Sequence, residues 1–372
     1  VGQPHGVGVV GLGVILDAYL LTLADHPGVR LTAVADLDEA RARSVAERLP
    51  GARATSVAEL LASEDVETVL DLTVPGAHAE IALATIAAGK HHYGEKPLAA
   101  TWSDAALVAA TAAAAPGVLL GCAPDTVLGT GVQTARAAID QGLVGRPTSA
   151  SATWISGGHE GWHPQPDFYY RDGGGPLLDM GPYYLTSLVH LLGPVEHVSG
   201  VASRLRDTRT IGSGPRAGQS VPVEVDTHVA GILQHVGGAI STVTVSFDGA
   251  TTSARPIEVQ GEDGAITVPD PNAFDGEVTH VARGSNQWQV LEPSAGFVGS
   301  SRGVGLLDMV GAAGTPRAAT PRASGEVALH VMEIMTGLLT SAREGGRITL
   351  TTRPERPELV PLTPFDVWKD LR

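Results

Sequence analysis

Lysine is almost absent from this chain: only Lys90, Lys96 and Lys369 occur in 372 residues. The formal net charge is −15. Nucleic acid and anionic membrane surfaces are therefore poor partners, since both repel an acidic surface. The same charge serves either solubility or the attraction of a cationic substrate. Cysteine is reduced to Cys122, which excludes an intrachain disulfide framework and makes a reducing, cytoplasmic setting the expectation. No run of eighteen apolar residues occurs, so no membrane span is expected. The numbered chain does not open with a basic stretch, an apolar run and a small-residue cleavage site, so no signal peptide is expected. Aromatic residues make up only 4%, and a segment that gathers several of them stands out. Scarce lysine beside plentiful arginine, alanine, glycine and proline has the look of a high-GC genome such as an actinomycete's.

What is present is core-building material, 43% hydrophobic against 17% charged, in a length that suits about two domains. Apolar runs at Val7–Val10, Leu31–Ala35, Val66–Thr73 and Val118–Leu120 alternate with helical spacing at 38–49, 57–61, 77–88 and 103–115. Near-continuous apolar strands separated by helices predict an open parallel sheet covered on both faces. After about residue 145 the texture changes. Thr148–Ile155, His228–Leu233, Ala239–Phe247, Ile257–Gln260 and Val278–Ala282 read as strands with short connections, which predicts a largely antiparallel sheet. Helices are expected at Leu177–Leu192 and Gly325–Arg343. The fold class is thus α/β: an N-terminal Rossmann domain over residues 1–124 and a C-terminal α+β domain over 125–372.

Gly11-Leu12-Gly13-Val14-Ile15-Leu16 follows the first strand directly and opens a helix. In that context the glycines mark a dinucleotide site: Gly11 permits the tight turn, and Gly13 lets backbone approach a pyrophosphate at the helix N-terminus. Leu16 departs from the Gly or Ala usual at the third position. Asp36, with Leu37 beside it, ends the second strand about 20 residues on, where a carboxylate hydrogen-bonds the adenine ribose. A 2′-phosphate would meet uncompensated negative charge there, with Arg41 displaced onto the next helix. NAD rather than NADP is the expected cofactor.

Thr73-Val74-Pro75 and His78 lie at the end of the next long strand, and Glu95-Lys96-Pro97 follows a short one. Both are carboxyl ends of parallel strands, where ligands bind in open α/β sheets. Glu95-Lys96-Pro97 resembles the lysine motif of the Gfo/Idh/MocA family of sugar and cyclitol oxidoreductases. The similarity extends through Gly173-Gly174-Gly175-Pro176-Leu177-Leu178-Asp179-Met180-Gly181-Pro182-Tyr183 and on to the helix with His330. The resemblance implies a Rossmann domain and a C-terminal domain with an open-faced, mostly antiparallel sheet. It also implies assembly through that sheet into a homodimer or homotetramer, and an active site lying between the domains. There the lysine (Lys96) and the helix aspartate (Asp179) bind the substrate hydroxyl beside the nicotinamide. The acid/base position, histidine in many members, is Tyr183 here, as in the tyrosine-bearing branch.

The chemistry is consistent with those roles. Alcohol oxidation leaves a proton to be accepted, and Asp179 and Tyr183, four apart on a helix, share one face. A free phenol titrates near 10 and is a poor base at neutral pH; an adjacent ammonium favours the phenolate and stabilises an alkoxide. The expected assignment is Tyr183 as acid/base, Lys96 as electrostatic stabiliser and Asp179 as substrate-orienting acceptor, with the first two roles exchangeable.

Residues 159–170 collect scarce aromatics beside polar side chains, a combination that suits a sugar's apolar faces and hydroxyl edges. His159, Trp162 and His163 are the substrate candidates in this loop, while Phe168 and Tyr170 are equally readable as anchors. His159 and His163 have metal-ligand spacing, but Gly161 and Pro164 break a helix there and no third ligand is evident, so no metal is expected. Asp125 either faces nicotinamide or substrate or caps a helix. His190 and His330 read as packing or interface residues. The leading function is NAD-dependent oxidation of a ring hydroxyl on a sugar, aminosugar or cyclitol, or the reverse reduction. An aminoglycoside-type sugar in antibiotic biosynthesis fits the acidic surface. Two alternatives stand beside it: a glycosidase that oxidises C3 transiently and eliminates the aglycone, and a non-catalytic dinucleotide or sugar sensor.

Overall fold

The computed structural model describes residues 3–313 and 320–369. The chain divides into two compact units, each assembled from separated segments: 1–133, 295–329 and 357–372 in the first, 134–294 and 330–356 in the second. Contiguous domains meeting after residue 124 do not describe that grouping. Residues 295–329 join the first unit through bridges that a local reading of the sequence does not register, Gly121 with Ser324 and Gly129 with Phe297.

The first unit carries a six-stranded sheet made of β1 (His5–Val10), β2 (Val29–Ala35), β3 (Arg53–Ala54), β4 (Thr68–Asp71), β5 (His91–Gly94) and β6 (Leu120–Cys122). Its order is β3-β2-β1-β4-β5-β6 with every pair parallel. The order reverses between β1 and β4, which opens a crevice at their carboxyl ends. Strand centres such as Val9, Val34 and Leu70 are wholly buried, as a sheet covered on both faces requires. The connecting helices are α1 (Leu16–Leu23), α2 (Glu39–Arg48), α3 (Val57–Ala62), α4 (Pro75–Ala87) and α5 (Trp102–Ala114). Local chemistry sets where they begin. Asp38 accepts from the N–H groups of Ala40 and Arg41, Ser56 and Glu59 form a capping box, and Pro75 occupies the first turn of α4.

Helix α6 (Thr130–Asp140) leads to β7 (Pro147–Ile155) and α7 (Pro176–Leu192). The remaining strands are β8 (Val195–Ser203), β9 (Thr208–Thr210), β10 (Ser220–Pro222), β11 (His228–His235), β12 (Ile240–Ser246), β13 (Ile257–Gly261), β14 (Gly264–Val268), β15 (Val278–Ala282), β16 (Gln289–Leu291) and β17 (Ile348–Thr349). Eight of them join β7 in one nine-stranded sheet in the order β16-β15-β14-β13-β7-β12-β11-β8-β17, and β9 pairs with β10 apart from it. All neighbours in the large sheet are antiparallel except β7 and β12. Helices α8 (Val304–Ala313), α9 (Gly325–Glu344) and α10 (Phe365–Trp368) complete the set. In the second unit α9 lies so close on β8 that a Cβ at Gly200 would stand 2.4 Å from the Leu338 carbonyl oxygen. Strands β8 and β14 have no counterpart in the sequence reading. The Gly200 gap and interrupted alternation hide β8, and β14 is buried on both faces and lacks a period of two.

Two histidines deep in these units impose a pH dependence. His330 Nε2 accepts the Val195 N–H at 2.9 Å, and Nδ1 lies 2.7 Å from the Thr352 hydroxyl. Burial pushes His330 and, in the first unit, His92 each down to about 4. An unfolded chain binds protons at these sites first, near pH 6.5. Their contribution is therefore complete above that pH and is lost as pH falls toward 4, by up to about 3 kcal/mol for each histidine. Urea unfolding at pH 7.5, 6 and 4.5 is expected to show a steady fall; a flat profile would contradict it.

Candidate functional site

The glycine turn at the end of β1 is built by close backbone approach. Gly11 has φ +85°, and a Cβ there would lie 2.6 Å from the Thr73 nitrogen, so only glycine fits. A Cβ on Gly13 would meet nothing within 4 Å. The turn is thus crowded behind and open in front, the shape a dinucleotide's phosphates require. Ile15, which precedes α1, supplies no side-chain cap, so the helix N-terminus keeps backbone donors for an anion. Leu16 turns its side chain into the core, so this helix packs through leucine where the fingerprint has a small residue.

Asp36 is more constrained than an approach to ribose alone would need. Its Oδ2 accepts the Leu12 N–H and its Oδ1 the Asp38 N–H, each at 2.8 Å. Arg41 reaches back from α2 to within 3.3 Å of both oxygens. The expected uncompensated charge is therefore partly neutralised, because the first turn of α2 returns Arg41 to the strand end. Burial would raise the Asp36 carboxyl, but the two N–H groups and Arg41 hold it below its ordinary value. Val14, Leu37 and Val74, in the loops after β1, β2 and β4, are largely exposed apolar residues. They give the crevice apolar walls, and together with the glycine cradle they fit a nicotinamide dinucleotide.

Behind this rim, three residues prove to be ties. His78 is buried, with Nδ1 2.7 Å from the Pro97 carbonyl and Nε2 3.0 Å from that of Thr73. Thr73 in turn donates its hydroxyl to Asp71 at 2.6 Å. Glu95 accepts the Tyr19 hydroxyl at 2.8 Å and the Lys96 N–H at 3.0 Å, joining the lysine turn to α1. Lys96 is half-buried on a turn held in this way at both Glu95 and Pro97. Asp125 neither caps its helix nor reaches the surface. It is fully buried and accepts the N–H groups of Gly303 (2.7 Å) and Gly305 (3.1 Å), and burial raises it to about 6 against the opposing pull of Arg302. Tyr19, Asp71 and Arg41 carried no motif, and only their tertiary contacts reveal them.

In the second unit the structure brings His159 and Asp179 together. His159 Nε2 lies 2.8 Å from Asp179 Oδ2. Asp179 is in the first turn of α7, which begins after Gly175 at φ +90°. Tyr183 follows one turn later and is buried. The aromatics form a closed ladder with ring centroids at 5.2 Å (His159–Trp162), 5.4 Å (Trp162–His163), 5.4 Å (His163–Phe168), 4.0 Å (Phe168–Tyr169) and 4.4 Å (Tyr169–His159). Trp162 and Phe168 form its exposed edge, whereas Tyr170 is an anchor buried with Ile211, Val221, Val223 and Phe247. Glu160 holds the loop from beneath. It pairs with buried Arg209 at 2.9 Å and accepts the Tyr170 hydroxyl, and Arg209 also pairs with Asp248. Among the described residues, no group of three or more His, Cys, Asp or Glu could hold a metal ion, and no helix is long and apolar enough to cross a membrane.

Comparison with known proteins agrees with this geometry. A family model described as "Oxidoreductase family, NAD-binding Rossmann fold" matches residues 5–121, and one described as "GFO/IDH/MocA C-terminal domain" matches residues 132–267. Among characterised proteins, a D-xylose 1-dehydrogenase (NADP(+)) from Haloferax volcanii is 26% identical over 92% of this chain and 98% of its own. A myo-inositol 2-dehydrogenase from Thermotoga maritima is 28% identical over 70% of this chain and 74% of its own. Among solved structures, an NAD-binding oxidoreductase from Klebsiella pneumoniae superposes with TM-score 0.80 at 22% identity, over 94% of this chain and all of its own. A levoglucosan dehydrogenase in complex with NADH does so with TM-score 0.79 at 20% identity, over 94% of this chain and all of its own. The matched regions together span more than half the sequence, and the chain is a member of the GFO/IDH/MocA oxidoreductase family.

Proposed function

We propose that the protein is an NAD-dependent dehydrogenase that oxidises a ring secondary hydroxyl of a sugar, aminosugar or cyclitol, or reduces the corresponding ketone. The observation that carries this reading is the aromatic ladder running from the His159–Asp179 pair out to exposed Trp162 and Phe168. Flat apolar rings beside hydrogen-bonding groups match the alternating C–H faces and hydroxyl edges of a carbohydrate. Relatives named for D-xylose, myo-inositol and levoglucosan support the same class.

Bound NAD would supply the hydride acceptor, held by the Gly11–Leu16 turn, Asp36 and the loops bearing Val74 and Lys96. In this reading Asp179 is the substrate-orienting acceptor, taking a hydrogen bond from a hydroxyl next to the reacting one and so fixing the ring. Tyr183 takes the hydroxyl proton, and the Lys96 ammonium stabilises the alkoxide as it forms, which makes a hard proton removal feasible near neutral pH. The acidic net charge favours a cationic aminosugar among the possible substrates. NADH formation from a panel of neutral sugars, cyclitols and aminosugars tests the reading: an enzyme silent with all of them refutes it, and activity with neutral sugars alone refutes the aminosugar preference.

NAD over NADP rests on the Asp36 carboxylate. Asp36→Asn keeps an oxygen for the Leu12 N–H and removes the charge, leaving Arg41 to meet a 2′-phosphate. The ratio of kcat/KM for NADP to that for NAD is expected to rise at least about tenfold, the size of one lost repulsion in a partly buried site. An unchanged ratio would remove Asp36 from cofactor choice. Assembly into a homodimer or homotetramer is part of the same proposal. Val201, Ile232 and Ile240 are exposed, and the register places them on one side of the large sheet, because Val201 opposes Ala230 and Ile240 opposes Gln234. Light scattering measures the resulting mass.

A further inference from the structure

We propose that His159 is the positioning residue for Asp179: its Nε2–H holds the carboxylate in the one orientation that receives a substrate hydroxyl. The inference rests on the dehydrogenase reading above and assigns a loop residue to it that no motif marks.

The geometry is specific. The two side chains meet at 2.8 Å and are only 11% and 16% exposed. A carboxylate accepts and cannot donate, so the proton of this hydrogen bond sits on Nε2, and the pair sets the tautomer of the imidazole. The ring has no room to swing away. Tyr169 lies at 4.4 Å, Phe247 at 4.8 Å, Trp162 at 5.2 Å and Trp154 at 5.9 Å between centroids, all tilted or edge-on. Its backbone is fixed as well. The neighbouring Glu160 is locked to Arg209 and Tyr170, its carbonyl accepts the Gly212 N–H at 2.7 Å, and Gly158 precedes it at φ +98°.

On the other side, Asp179 stands on the helix, where its N–H donates to the Gly175 carbonyl at 3.1 Å. The Gly175 N–H is itself tied to the Tyr169 carbonyl at 2.7 Å. The His159 loop and the start of α7 are therefore cross-braced, by the Gly175–Tyr169 backbone bond and by the His159–Asp179 pair itself. A donor held this rigidly fixes where one carboxylate oxygen lies, and misplacement by about 1 Å is enough to cost on the order of 10²-fold in rate.

The test uses two substitutions of similar volume in the full-length protein. His159→Gln offers an amide N–H about where Nε2 lies; His159→Leu fills the space without a donor. With a sugar that the wild type oxidises, His159→Leu is expected to lose roughly 10²-fold, mainly in kcat. Its affinity for NADH, read by fluorescence titration, is expected to stay within about twofold of the wild type. His159→Gln is expected to recover at least about tenfold of the loss, which a merely structural histidine would not show. Equal activity of the two variants, or full activity of His159→Leu, overturns the proposal. A ¹⁵N histidine NMR spectrum supplies a readout independent of turnover: the Nε2–H tautomer of His159 is expected in the wild type, and its resonances are expected to move in Asp179→Asn. Unmoved resonances overturn the pair. A wild type that forms no NADH from any sugar while the NMR pair is present overturns the dehydrogenase reading instead.

Discussion

Lys96→Ala is expected to lower kcat by about 10²- to 10³-fold, the range seen when one preorganised stabiliser of a developing oxyanion is removed. The turn that carries Lys96 is tied down on both sides of it. Glu95 is tied to Tyr19, and the Pro97 carbonyl to His78. The variant should therefore fold normally and bind NADH within a few-fold of the wild type, which separates a lost charge from a lost cofactor site. Lys96→Arg is not expected to rescue, since a planar guanidinium does not place a point charge where an ammonium does. Tyr183→Phe decides between the two assignments. If Tyr183 takes the proton, that variant loses turnover at every pH, while Lys96→Ala recovers some at high pH. If Lys96 takes it, the behaviours exchange. Single-turnover stopped-flow with a deuterated substrate reads the chemical step directly, and near-normal turnover of Lys96→Ala contradicts both assignments.

The largest effect on stability is expected from Arg209→Met. Arg209 is almost wholly buried and bridges two carboxylates that are themselves nearly buried, Glu160 and Asp248. It also donates to the carbonyls of Gly157 (3.1 Å) and Phe247 (3.1 Å). Methionine matches much of the volume but strands both negative charges, a change that costs about 3–5 kcal/mol. For a protein of this size that corresponds to a fall in Tm of roughly 5 °C. The combined variant Arg209→Met, Glu160→Gln, Asp248→Asn is expected to regain most of the loss, because the penalty comes from the unpaired charges and not from missing attraction. Differential scanning calorimetry of the two variants checks this; a combined variant no more stable than the single one would contradict it.

Much of the first unit was legible residue by residue. Gly11 announces itself because its tight turn against the Thr73 backbone admits only glycine. Asp36 is found because a strand of known length ends there, and β1, β2 and β4 because a doubly covered strand is continuously apolar. The Glu95-Lys96-Pro97 turn and the Gly173–Tyr183 stretch were legible as a family resemblance, and both family-model matches agree with it. Arg41 belongs to the next helix by sequence, yet that helix's first turn brings it back to Asp36. Periodicity does not report that return, since it depends on where a loop closes.

Sequence alone therefore determined the two-part α/β character, the nucleotide cradle and the identity of the polar residues worth testing. Each of these follows from backbone geometry or short-range spacing. Tertiary structure decided what those residues do for one another. Asp125 and His78, both candidates for ligand contact, are turned inward onto backbone partners, and Asp179 faces an imidazole twenty residues earlier in the chain. It also decided that residues 295–329 fold with the first unit. Such pairings join groups far apart in sequence, and their energy depends on burial and direction, which no local pattern encodes.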